Sequence, residues 1–532
     1  MITLDRMLRS GREAYWTADR DAPFDDRPIG EILAERASSR PDAPAVIWDD
    51  GGTLVTWTYR DLVARATELA RRLLASVDAA SRVAVVAATS PDWLFLEYGA
   101  ALAGVALVPV NPAFTNDEIV HVLRTSDAAL VLADHTFRGT DLLDRVTAAA
   151  AMAGVATVHP LSGWAALPAH EGELPRVRAR DPFLVQYTSG TTGRPKGAVL
   201  SHRAAYNCAA LSMVRLGGTA DDVWLNVMPM HHVGGSVSVA LAVLSVGAAI
   251  VLVPAFDAGG VLELLERTRA TIIGAVPTMQ LALLEHPRFA TTDVRSLRLV
   301  QSGGSVVPTS LIRRCEAAFG AVIVNAYGQS ESPNAIMTSP DDDDAIKAET
   351  IGTPLPHREV RIAAADGATA GIGETGELLM RSPMTMDGYI GVEDSVARET
   401  LGADGWLHTG DLCSMDERGV IRIHGRVRDV IIRGGENIYP AEVEDVLLRH
   451  PAIADIAVVG VADERWGEVP VGVYRPAVGC AVDTAELEVF ARAALASFKV
   501  PRRWVELDAF PLTASGKVKK HELRRAIEGV PH

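Results

Sequence analysis

Cysteine is scarce in this chain: four in 532 residues, Cys208, Cys315, Cys413 and Cys480, far apart and never as CxxC. That spacing excludes a zinc ribbon or a disulfide framework and suits a reducing, cytoplasmic compartment. Net positive charge is also missing. The formal balance is −16, which argues against general affinity for nucleic acid or anionic membrane, since both require clustered Lys and Arg. A polyphosphate ligand would therefore need a local positive site and a metal. The N-terminal stretch MITLDRMLRSGREAYW lacks the apolar core of a signal peptide. One uncharged run, Val233 to Phe256, is long enough to raise the membrane question. Gly234, Gly235, Ser236, Ser238, Ser245 and Gly247 interrupt it. It reads instead as a buried helix, a glycine stop and a buried strand, with no membrane span.

Against those absences stands a soluble globular composition, 48% hydrophobic and 22% charged, in a chain too long for one core. Its most distinctive stretch is YTSGTTGRPKGAVLSH, Tyr187 to His202. Thr188, Ser189, Thr191 and Thr192 supply hydroxyls, Gly190 and Gly193 free the backbone to turn its N–H groups inward, and Lys196 adds a compact positive charge. Such a loop suits a polyphosphate. It is not GxxxxGK[ST], because the order here is Gly193-Arg194-Pro195-Lys196-Gly197.

From Ile29 onward, helical periodicity alternates with continuous apolar strands such as RVAVVAA and VALVPV, the pattern of a parallel sheet covered on both faces. A weak repeat supports two doubly wound units in tandem: Ala101 to Pro112 resembles Ala242 to Pro254, each a helix end, a glycine, a buried strand and a proline. The loop at Tyr187 follows FLVQYT, a predicted strand, where ligands of such sheets bind. TIIGAVPTM, LRLVQSGGS and AVIVNAYGQSES read as further strand-to-loop junctions, and SPDDDD as a solvated acidic loop. From about Val360 short strands and turns predict a small barrel or distorted sheet. The chain beyond Arg426 reads as a compact α+β domain of its own. The predicted fold class is therefore α/β: a large N-terminal part, 1–426, of two doubly wound sheets and a β-barrel-like subdomain, then a small mobile α+β domain, 427–532.

These motifs, in this order, resemble the adenylate-forming superfamily of acyl-CoA synthetases, adenylation domains and beetle luciferases, over nearly the whole chain. The resemblance implies ATP, Mg²⁺ and CoA as cofactors and a small carboxylic acid as substrate. In that reaction a carboxylate attacks the α-phosphate of ATP to give an acyl-AMP, and a thiol then takes the acyl group. The first step sets an anion against a polyanion. Two unit charges at about 4 Å repel by about 4 kcal/mol at an effective dielectric of about 20, so the site needs cations and aligned donors.

By resemblance, Thr188, Ser189, Gly190, Thr191, Thr192, Gly193 and Lys196 form the phosphate loop. Around the nucleotide stand Asn325, Ala326, Tyr327, Gly328 and Ser330, with Tyr327 stacked on adenine, Ser330 on phosphate, and Glu331 holding Mg²⁺ with Thr188. Ser330 occupies a position where threonine is usual. Ser302, Gly303, Gly304 and Ser305 lie between adenine and the acyl pocket, which His231, His232 and Val233 also line; His232 is the functional histidine of PMHHVGG. Asp411 accepts both ribose hydroxyls, as two carboxylate oxygens can. Arg426 reaches ribose and phosphate, and Arg428 stands at the hinge in place of the commoner aspartate or lysine. Lys517 of PLTASGK is the implied catalytic residue of adenylation, while Gly434, Gly435 and Glu436 line the pantetheine tunnel.

No aspartate accompanies Pro229 to Gly235, which disfavours an amino acid and favours a fatty, alicyclic or aromatic acid. A carrier-protein thiol or an amine as acceptor, an atypical acid and a homodimeric assembly remain open. A nucleotide-binding protein without catalysis would be expected to lack Lys517, Glu331 or Asp411, and all three are present.

Overall fold

Several helices begin and end where local chemistry stops the ladder. In the computed structural model, which describes residues 13–188, 195–303, 309–463, 465–477, 479–511 and 518–528, Tyr59–Leu74 starts with a capping box between Thr58 and Asp61. It buries Leu62, Ala66, Leu69 and Leu73, one stripe at helical spacing. Pro91–Ala103 opens on Ser90, whose hydroxyl accepts from Trp93 N, and ends on Gly104 in the left-handed region, φ 67°.

That ending occurs twice. Ala242–Val246 ends on Gly247, φ 74°, and both glycines lead into fully buried strands, Ala106–Val110 and Ala249–Leu252. The two strands belong to different sheets, so the repeat seen in the sequence does mark two units. The first sheet orders its strands from Gly388–Ile390 through Lys196–Ser201, Pro182–Thr188, Ala106–Val110, Arg82–Val86 and Ala128–Ala133 to Val158–Pro160. The second runs from Thr353–Pro354 through Ser332–Met337, Val322–Gln329, Leu299–Gly303, Ile272–Gly274, Val223–Asn226, Ala249–Leu252 and Pro44–Asp50 to Thr53–Thr58. Their centres are parallel; antiparallel pairing enters toward both edges of the second sheet and one edge of the first, whose other edge strand, Val158–Pro160, is parallel.

Val233 to Phe256 resolves as expected into buried helix, glycine stop and buried strand. No helix among the described residues is long and apolar enough to cross a membrane. The region after Val360 forms a five-stranded antiparallel sheet. Its edge strand, Tyr15–Trp16, comes from the opposite end of the chain and pairs with Glu359–Ala363. The acidic run is a turn in which Asp342 accepts from Ser339 N at 2.7 Å, Asp343 caps Asp344–Glu349 and Asp344 pairs with Lys347 at 3.4 Å.

Beyond Arg426, the hairpin Ile453–Asp463 and Gly467–Pro476 is flanked by Pro440–Leu447, Thr484–Ala494 and Lys520–Glu528. Its apolar clusters, Ile431 to Val500 and Ala457 to Ile527, take no residue from the clusters before them. One core residue is unusual. Glu97 is fully buried on Pro91–Ala103, with neither carboxyl oxygen hydrogen-bonded among the described residues. Burial pushes its pKa well above the carboxylate range, so it is held as the neutral acid.

Candidate active site

The predicted phosphate loop connects two paired strands. Pro182–Thr188 and Lys196–Ser201 pair antiparallel with Thr188 opposite Lys196. Ser189, Gly190, Thr191, Thr192 and Gly193 lie outside the described residues, but both stems are held by one helix, Asn116–Ser126. His121 Nε2 donates to Pro195 O at 2.9 Å, and Thr125 Oγ1 lies 2.8 Å from Tyr187 OH. His121 and Thr125 are four residues apart and so share a helix face. Nothing in their local sequence marks them as loop supports.

Asp411 is the centre of the second group. It is 2% exposed, on the strand Leu407–Met415. Its Oδ2 accepts from Tyr327 OH at 2.6 Å and from Gln329 Nε2 at 3.0 Å, while Arg426 Nε donates to Oδ1 at 3.1 Å. The sequence predicts Tyr327, Asp411 and Arg426 near one nucleotide, and the fold brings them together. Burial and the Asp411 carboxylate push the Tyr327 phenol well above its ordinary pKa, keeping it a donor. Gln329 was not anticipated. AYGQSES is not an open loop: Val322–Gln329 continues as a strand and returns as Ser332–Met337. Tyr327 and Gln329, two apart, therefore project from one face, a signal available once the segment is known to be extended.

Two glycines here answer to close approach. A Cβ on Gly303 would stand 2.3 Å from Ala326 O on the adjacent strand, and one on Gly328 2.5 Å from Asn334 N in the returning strand. Asn325 turns its amide away from Asp411, donating to Lys347 O at 2.6 Å and Thr350 O at 3.2 Å. Gly304 and Ser305 lie outside the described residues.

Glu331 begins the return of that hairpin. It is 8% exposed, and among the described residues no Lys, Arg or His pairs with it. Tyr389 OH donates a short hydrogen bond to its Oε1, and Met386 N donates to its carbonyl at 2.8 Å. Ser330 beside it is also buried. Behind it Arg358, fully buried, donates to Ser332 Oγ at 2.6 Å and Pro333 O at 2.9 Å, fixing the strand that carries the carboxylate. No cluster of three His, Cys, Asp or Glu occurs among the described residues. A buried carboxylate without a cation partner among the described residues fits Mg²⁺, which takes one or two protein carboxylates and draws its other ligands from phosphates and water. Thr188 ends the neighbouring phosphate-loop strand.

On the acyl side, His232 caps the helix that begins at Val233; its Nδ1 accepts from Gly234 N at 3.0 Å. A nitrogen that accepts a backbone N–H carries no proton, so Nε2 is the N–H of the neutral ring. The helix then widens into a π-turn, Ser236–Leu241, a device often found at functional sites. His231 is tied to the phosphate-loop strand through Gln186 Nε2, 3.1 Å from His231 O. Burial and the adjacent His232 pull the His231 pKa down to about 3, so it is neutral. The buried Ser302 hydroxyl and His231 Nδ1 have no hydrogen-bond partner among the described residues. Val233 is buried beside them.

The remaining predicted residues stand elsewhere. Arg428 is exposed in the short turn Val427–Asp429. Gly434 and Gly435, φ 59° and 90°, make the tight turn between Ile431–Arg433 and Glu436–Ile438. That turn and Glu436 are exposed. Gly434 N donates to Trp466 O at 2.7 Å, not to the Asp411 group. Lys517 lies outside the described residues.

Comparison with known proteins places this geometry in a family. The AMP-binding enzyme profile matches residues 33–390, and the AMP-binding enzyme C-terminal domain profile matches residues 442–517. A feruloyl-CoA synthase of an Amycolatopsis species is 37% identical over 499 residues, covering 93% of this chain and 98% of that protein. Two solved structures align over 94% of this chain and 99% of their own. One is the o-succinylbenzoate CoA synthetase of Bacillus subtilis in complex with its acyl-adenylate intermediate, with a TM-score of 0.82 and 30% identity. The other is an amide bond synthetase of Marinactinospora thermotolerans, with a TM-score of 0.82 and 29% identity. The chain belongs to the AMP-binding enzyme family, within the adenylate-forming superfamily of acyl-CoA synthetases.

Proposed function

We propose that this protein is an ATP- and Mg²⁺-dependent acid–CoA ligase that forms an acyl-AMP from a fatty, alicyclic or aromatic acid and passes the acyl group to CoA. The observation that carries the reading is the convergence of Tyr327, Gln329 and Arg426 on one buried carboxylate, Asp411, beside the buried Glu331. Asp411 receives the ribose hydroxyls, Tyr327 lies against adenine, and Lys196 with the loop of Ser189 to Gly193 holds the pyrophosphate. Gly303 to Ser305 separate the base from the acyl pocket. Glu331 with Thr188 would hold Mg²⁺, which would supply positive charge at the phosphates. Lys517 bridges the acid's carboxylate and the α-phosphate in the first step. His232 carries its ring proton on Nε2, the nitrogen that donates toward that carboxylate. Gly434, Gly435 and Glu436 serve the second step, in which the thiol displaces AMP.

The absence of an acidic residue from Pro229 to Gly235 and the neutral His231 support an acid without an amine. We place the boundary between the parts 1–426 and 427–532, a division supported by separate apolar clusters and the exposed Val427. The similarity to an amide bond synthetase supports one second reading, the same adenylation with an amine acceptor. Pyrophosphate release and product formation across a panel of carboxylic acids, with and without CoA, test the two. CoA-dependent thioester is expected; AMP formation from a matched acid that is indifferent to CoA overturns the ligase reading.

A further inference from the structure

Tyr389 is another residue at this site that no motif predicts. It lies on the edge strand Gly388–Ile390, antiparallel to Lys196–Ser201, with Tyr389 opposite Ala198 and Ile390 opposite Gly197. The strand that carries Lys196 therefore also positions Tyr389. The phenol donates its short hydrogen bond to Glu331 Oε1, and Lys196 Nζ stands 5.6 Å from the ring centroid. The backbone leading to it is tied to the same two elements: Met386 N donates to Glu331 O at 2.8 Å, and Asp387 N to Val199 O at 2.9 Å. One short segment thus joins the phosphate-loop lysine to the buried carboxylate.

We propose that Tyr389 is a positioning residue that orients the Glu331 carboxylate for a divalent cation, taking one oxygen and leaving the other for the metal, while its ring seats Lys196. A carboxylate on a flexible stem must lose rotational freedom when it ligates. A hydroxyl already on one oxygen removes that freedom beforehand, as hydrogen bonds to metal ligands generally do. The ring presents its negative face to the ammonium, holding the lysine without neutralising it. The phenol and the ring therefore act on different partners and can be removed separately.

The inference rests on Glu331 as a metal ligand, and the test separates the two. The dissociation constant of α,β-methylene-ATP is measured by calorimetry with Mn²⁺ and with EDTA, for the full-length protein and for Tyr389→Phe, Tyr389→Leu and Glu331→Gln. Melting curves confirm that each variant folds; phenylalanine keeps the ring and its packing. Tyr389→Phe is expected to weaken binding about tenfold with Mn²⁺, the lower end of outer-shell effects, and leave the EDTA value unchanged. Tyr389→Leu is expected to weaken both, because Lys196 also loses its seat. Equal behaviour of Tyr389→Phe and wild type with Mn²⁺, or equal losses in both conditions, overturns the proposal. If Glu331→Gln loses the metal-dependent gain and Tyr389→Phe keeps it, only the role of Tyr389 falls. If Glu331→Gln keeps it, the metal reading falls and takes this inference with it.

Discussion

Asp411→Asn is the most informative single change, because its effect can be worked from donor counts. A carboxylate offers about four acceptor positions. Three are engaged here, by Tyr327, Gln329 and Arg426, and a cis-diol needs two. One donor must give way. Gln329 does so at least cost, since its two amide hydrogens already face three acceptors, Thr409 O at 2.8 Å, Asp411 Oδ2 at 3.0 Å and Tyr327 OH at 3.3 Å. Asparagine has nearly the same shape but one acceptor oxygen and no charge. Its oxygen will face Arg426, which can only donate, and its NH₂ will face Tyr327 and Gln329. The ribose hydroxyls then lose one acceptor and the charge behind the other. With charge-assisted bonds worth about 1.5–3 kcal/mol and neutral ones about 1 kcal/mol, replacing two of the former by one of the latter loses about 2–5 kcal/mol. That corresponds to roughly 30- to 4,000-fold in the Kd for AMP. Calorimetric titration of AMP and of its 2′,3′-dideoxy analogue into both proteins closes a double-mutant cycle. Removing the hydroxyls should weaken wild type strongly and the variant little. If both proteins lose the same factor, Asp411 does not hold the ribose and the assignment fails.

Three further outcomes are expected. Lys517→Ala should abolish acyl-AMP formation while sparing thioester formation from pre-made acyl-AMP; equal loss of both half-reactions in single-turnover assays refutes its role. Gly434→Leu places a side chain in the left-handed region, at a cost of about 1–2 kcal/mol, with its Cβ 2.8 Å from the Trp466 ring. It should slow the thiol step at least about tenfold more than adenylation, consistent with a tunnel lined by small residues; parallel losses argue against the tunnel. Glu97→Gln should stabilise the fold in a pH-dependent way. The unfolded chain ionises Glu97 near its ordinary value of 4.5 while the folded chain keeps it protonated, so the folded state binds more protons and stability falls as pH rises above that value. The melting-temperature gain of the variant should therefore be small near about pH 5 and larger near about pH 8. A constant difference refutes the neutral-acid assignment.

Much of the candidate site was legible because its parts are local. The stretch Tyr187 to His202, the Tyr327 segment, the Asp411 strand and PLTASGK are each contiguous and carry residue types that suit one chemical task; Ser189 to Gly193 and Lys517 lie outside the described residues. The repeated glycine stops at Gly104 and Gly247 were equally readable, since a left-handed helix end favours glycine, although Asp127 and Arg269 also adopt it here. The segment after Tyr327 was harder. Glycine, serine and proline in GQSESPN mark a turn, and only the pairing of Val322–Gln329 with Ser332–Met337 makes it a hairpin with a defined face.

What the sequence by itself determined, then, is the order of strands and helices, the family, and a set of functional groups each attached to its own short motif. Periodicity, turn chemistry and capping act over a few residues, so a linear reading reaches them. The tertiary structure alone decided which groups meet. Gln329 shares Asp411 with Arg426 across a sheet boundary, and Arg358 bolts the strand behind Glu331. Tyr389 reaches Glu331 only because an edge strand pairs with the strand of Lys196, far earlier in the chain. Those contacts depend on strand register and sheet order. Backbone hydrogen bonding and burial of the whole chain set both, and no local pattern encodes them.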